Sequence, residues 1–68
     1  MSKYYRWIVE CANCHAENGD ERGAEAIMFA LRRGKKSALD VYPEAAPAIN
    51  NAFLYGRQEY AAATGGQA

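Results

Sequence analysis

Lys3-Tyr4-Tyr5-Arg6-Trp7-Ile8-Val9-Glu10-Cys11 admits two periodicities, and the fold depends on which one it follows. With a period of two, Tyr5, Trp7, Val9 and Cys11 share one face while Tyr4, Arg6, Ile8 and Glu10 share the other. With a period of 3.6, Tyr4, Trp7, Ile8, Cys11 and His15 fall together instead. The aromatic and β-branched content suits a pleated surface, so the segment is expected to be a strand. Residues 12–20, with Asn13, Asn18, Gly19 and Asp20, then read as a loop or knuckle.

Downstream, Glu21 to Arg33 predicts a helix with Asp20 as its N-cap. Ala24, Ile27, Met28 and Leu31 form its apolar stripe, and acidic residues at its start face basic ones at its end, complementing the helix dipole. Gly34 stands where a left-handed terminal residue is expected. Phe29 lies off the stripe and is a candidate interface residue. Ser37 to Tyr42 predicts a second short strand, and the run Pro43–Pro47 a turn into a last helix reaching Ala63. In that helix Ile49, Ala52, Phe53, Gly56, Tyr60 and Ala63 share a face, and Gly56 suggests a close approach of another element. Leu54 and Tyr55 fall outside the stripe. The expected architecture is α+β, in the order β-α-β-α, with two helices on a minimal sheet. Residues 1–63 would form one domain and residues 64–68 a flexible tail.

At 68 residues and 7.5 kDa the chain has room for one small domain. A core of that size supplies only about 3–5 kcal/mol of net stability, so a metal, a disulfide or a partner subunit, including a second copy, is a natural expectation. Half the residues are apolar and 24% are charged, which fits a packed globule. Eight basic residues balance eight acidic ones, so the net charge creates no bulk field toward nucleic acid or membrane. No apolar run is long enough to span a bilayer, and the start lacks a secretory signal, so a cytoplasmic location is expected.

Cys11-Ala12-Asn13-Cys14-His15 is the main chemical motif. Cys11, Cys14 and His15 are candidate zinc ligands, completed by a carboxylate or by a second C-x-x-C from another copy. C-x-x-C-H is also the attachment signature for covalent haem, with His15 on the iron. A redox dithiol is a third reading, and buried thiols beside a surface histidine a fourth, without function. Arg32-Arg33-Gly34-Lys35-Lys36 is the basic cluster, fit to grip phosphates or an acidic protein patch, and equally explained as a solvated helix end.

From Tyr4 to Arg33 the chain resembles the C-terminal half of small phage zinc-ribbon proteins of the Lar-like restriction-alleviation type. The resemblance rests on the Tyr5, Trp7, Val9 strand entering Cys11-x-x-Cys14, and on a helix carrying Ala24-Glu25-Ala26-Ile27 and closing with Arg32-Arg33. The first C-x-x-C of that family is missing, and His15 replaces its usual glycine. The resemblance implies a small non-enzymatic binding protein that occupies a host surface, of a restriction or CRISPR nuclease. Its contact residues would be Phe29, Arg32, Arg33, Lys35 and Lys36, with Leu54 and Tyr55. A rival resemblance, to c-type cytochromes, rests on Cys11-x-x-Cys14-His15 and Trp7 and implies an electron carrier with haem. In that reading Met28, on an apolar face close to His15, is badly placed as the opposite axial ligand. A nucleic-acid binder acting through residues 32–36 is the third expectation.

Overall fold

In the computed structural model, which describes residues 3–65, the chain is all-helical. Helix α1 spans Tyr5–Glu17, α2 Glu21–Arg33, α3 Lys35–Val41 and α4 Ala46–Ala63, with a 3-10 turn at Pro43–Ala45 before α4. The expected β-α-β-α order is therefore corrected: both predicted strands are helical, and no strand occurs among the described residues. Residues 12–17, expected as loop, continue α1, and only the turn Asn18–Asp20 separates it from α2.

The 3.6 period prevails at the start because it is the one that can be buried. Ile8 is fully buried and Ala12 nearly so, one turn apart on α1, and both pack with Ile27 of α2 and Ala52 of α4. A strand there would also have needed a partner. The only other candidate, Ser37–Tyr42, places Ala38 and Tyr42 at a spacing of four and buries both in a second cluster with Ala26, Ala30, Ala45 and Ile49. A two-stranded ribbon of such short segments is marginal in water, whereas amphipathic helices bury their apolar residues directly.

Helix α2 covers the residues its pattern predicts. The Asp20 carboxylate accepts a hydrogen bond from the Gly23 N–H at 3.0 Å, as an N-cap should. At the other end Gly34 has φ 99° and ψ 148°, a conformation largely restricted to glycine, and it alone joins α2 to α3. Helix α2 is the central element: Ile27, with Ala24, Met28 and Leu31, belongs to the cluster shared with α1, and Ala26 and Ala30 to the cluster containing α3. Phe29, expected at an interface, is instead half-buried against this second cluster, its ring edge-on to Tyr42 at 5.5 Å.

Most core residues are alanines, with Ile8, Ile27 and Ile49 the largest fully buried side chains. Small side chains let helix axes approach closely, and Gly56 takes this furthest. A Cβ at position 56 would lie 2.9 Å from Tyr4 Cβ and 3.0 Å from Ile8 Cγ1. Gly56→Ala should therefore destabilise the protein. The overpacking cost, about 1–3 kcal/mol, exceeds the helix-propensity gain of about 1 kcal/mol. A thermal melt showing Gly56→Ala more stable than wild type would refute this close α1–α4 crossing.

Helix α4 ends at Thr64, whose hydroxyl donates to the carbonyl oxygens of Tyr60 and Ala61. The remainder of the expected tail, residues 66–68, lies outside the described residues. No helix among those described is long and apolar enough to cross a membrane.

Candidate functional site

The fold divides Cys11-Ala12-Asn13-Cys14-His15 between two surfaces. Cys11 and Cys14, one turn apart on α1, line a mostly apolar hollow of about 390 Å³ with Glu10 and Tyr55 of α4. Both thiols are free. Burial, and then the neighbouring Cys14, push the Cys11 thiol up from its ordinary value. Tyr55 O–H donates to the Glu10 carboxylate at 3.4 Å, and the Asn18 side-chain amide reaches Cys14 Sγ at 3.7 Å.

His15 lines a different hollow, with Asp20, Arg22, Glu44 and Asn51. Its Nδ1 lies 2.8 Å from Asp20 Oδ2, so one carboxylate caps α2 and also holds the last turn of α1. Beside this pair, Arg22 Nε donates to Glu44 at 2.6 Å and its guanidinium lies 4.6 Å from the Tyr42 ring centroid. The two pairs together tie α1, α2 and the 3-10 turn.

These placements do not fit the metal and haem expectations. Among the described residues no three His, Cys, Asp or Glu side chains converge to hold a metal ion, so one chain supplies no closed tetrahedral zinc shell. Covalent haem would need Cys11, Cys14 and His15 around one plate, whereas the thiols and the imidazole face separate hollows. The zinc-ribbon resemblance also loses the strand that carried it, because Tyr5, Trp7 and Val9 lie on a helix.

The basic cluster becomes larger. Arg32 and Arg33 close α2, while Lys35 and Lys36 open α3, all exposed. A hollow of about 190 Å³ joins Lys35 to Tyr4, at the start of α1, and to Asn50, Phe53, Leu54 and Arg57 of α4. Lys3 sits 5.0 Å from the Tyr60 ring centroid and Arg6 5.4 Å from that of Trp7, both near the same end of α1. Lys35 and Arg57 thus line one hollow, and Arg32, Arg33 and Lys36 adjoin Lys35 at the junction of α2 and α3. None of these cations makes an ion pair among the described residues. Asp20 and Glu21 lie about 18 Å away at the other end of α2, whereas Glu59 follows Arg57 on α4.

Of the residues expected to contact a partner, Lys35 and Leu54 are brought together here, with Arg32, Arg33 and Lys36 adjoining Lys35 at the α2–α3 junction. Tyr55 turns to the cysteine hollow, and Phe29 packs inward. Arg57 was missed, because only the folded topology places it beside Lys35. No protein-family model matches the chain, and no curated protein or solved structure matches it.

The carboxylate pairs give a pH prediction. The hydrogen bond from His15, and then that from the Gly23 N–H, hold Asp20 below its ordinary value, and Arg22 does the same for Glu44. A carboxyl group with a depressed pKa in the folded state adds stability above its unfolded value and loses it as pH falls through the folded one. The melting temperature should therefore decline below about pH 4, and Asp20→Asn with Glu44→Gln should flatten that decline. An unchanged acid limb in the double variant would refute the assignment.

Proposed function

We propose that the chain is a small, non-enzymatic binding protein that docks its basic end on an acidic surface of a partner protein in the cytoplasm. The exposed run Arg32, Arg33, Lys35 and Lys36, joined by Arg57 across a shared hollow and without ion-pair partners among the described residues, supports this reading. The hollow between Lys35 and Arg57 adds a reason to favour protein over nucleic acid. Phe53 and the exposed Leu54 present apolar surface between Lys35 and Arg57, a combination suited to a carboxylate side chain flanked by aliphatic neighbours. The partner is proposed by this chemistry alone, since the strand behind the resemblance to host-defence inhibitors is a helix here.

Titration of the labelled chain with a glutamate- and leucine-containing peptide, followed by amide NMR, tests the proposal. Shifts should cluster at Tyr4, Lys35, Phe53, Leu54 and Arg57 and shrink with added salt. Shifts at the acidic end, or none, would overturn it. So would tighter binding to duplex DNA with a steep salt slope, which would transfer this surface to nucleic acid.

A further inference from the structure

The hollow between α1 and α4 is independent of the basic end, and its chemistry is unusual for so small a protein. Two free thiols open onto it from adjacent turns of one helix, at i and i+3, a spacing that puts their Cβ atoms about 5–6 Å apart. Tyr55 forms the opposite wall, and the lining is mostly apolar. The Asn18 side-chain amide donates to the Cys14 carbonyl oxygen at 2.7 Å and lies 3.7 Å from Cys14 Sγ, which holds the end of α1 beside the thiol.

We propose that Cys11 and Cys14 form a two-thiolate site for Cu(I). The donor set selects the ion. Zinc requires four ligands and calcium six or more, and no third metal-binding carboxylate, thiol or imidazole joins the pair among the described residues. The Glu10 carboxylate is a hard donor already engaged by Tyr55 O–H. Soft thiolates select Cu(I), a soft cation for which two sulfur donors are sufficient. On binding, each thiol releases its proton to solvent and two S–Cu bonds form. Copper enters and stays in the monovalent state, so no oxidant or reductant takes part.

His15 has no part in this site, which separates it from the zinc and haem expectations for the same motif. The exposed Leu54 and Tyr55 are neighbours on α4, but Leu54 lines the basic hollow and Tyr55 the thiol hollow. An ion at the thiols would therefore lie close to the proposed docking surface without occupying it.

The test is an anaerobic titration of the reduced chain with Cu(I), in competition with a chromogenic Cu(I) chelator, together with native mass spectrometry. Wild type should withdraw one Cu(I) per chain at monomer mass and show sulfur-to-copper charge-transfer absorption. Cys11→Ser and Cys14→Ser should each weaken binding about a hundredfold or more, because the second thiolate acts at high effective concentration. Cys11→Ala serves as a second variant if the serine disturbs packing, with circular dichroism confirming the helices. Failure to compete with the chelator would overturn the proposal, as would undiminished binding by folded single variants. One ion per two chains at doubled mass would also overturn it, indicating four thiolates shared between copies.

Discussion

Ile27→Ala should leave the protein largely unfolded at 37 °C. Ile27 is fully buried where α1, α2 and α4 meet, packed with Ile8, Ala12 and Ala52. Truncating a buried isoleucine costs about 2–5 kcal/mol, and the range depends on how far the surroundings can collapse into the space. Collapse is limited here, since the neighbours include alanines that have no longer rotamers to extend. A domain of this length holds only about 3–5 kcal/mol in its core. The loss is then comparable to the whole stability, whereas truncation of the exposed Leu54 should cost little. Urea melts followed by circular dichroism would check both. An Ile27→Ala variant that melts with wild type would show that this junction is not the centre of the core.

Replacing Arg32, Arg33, Lys35 and Lys36 together with glutamate should abolish binding to an acidic partner. Individual exposed ion pairs contribute about 0.2–1 kcal/mol, so losing four removes roughly 1–4 kcal/mol before any repulsion is counted. Reversal adds like-charge contacts in place of attractive ones, and the combined loss should exceed about a hundredfold in Kd. Acidic residues at the end of α2 also oppose the helix dipole, at about 0.3–1 kcal/mol each. A parallel glutamine set therefore separates binding from folding, and it should weaken binding while retaining the helical spectrum. Unchanged affinity in the folded glutamine set, measured by calorimetry with the acidic peptide, would remove the basic end from the binding surface.

How much of this was legible in the sequence differs by element. The bounds and caps of helix α2 could be read because their signals are local, a capping Asp20 and a terminal Gly34. Of its expected stripe, however, only Ile27 is fully buried, and Ala26 and Ala30 were outside it. The first segment could not be decided that way. Its nine residues satisfy both periods, and the choice comes from Ile8 and Ala12 having Ile27 and Ala52 to pack against. Ser37–Tyr42 failed for the same reason, since its burial against α2 and α4 is a tertiary fact. The site followed a similar pattern. Residues 32–36 are a visible run, but Arg57 joins Lys35 only through the packing of α4. The cysteine-histidine motif was visible as well. Its division was not, because it arises when Asp20, five residues beyond His15, draws the imidazole to the opposite side.

The alanine-rich core has one more consequence, concerning how such a protein fails. With so little side-chain volume at most buried positions, its susceptibility is to wedging more than to hollowing. A larger side chain at the buried Ala26, Ala30, Ala38 or Ala52 has to displace packed neighbours. Tyr4, Lys35, Phe53 and Arg57 line one hollow, so a wedge between α4 and either α1 or α3 would be felt there. Variants that keep their helical content while losing the arrangement of that hollow are the mutational signature to expect from tight spacing.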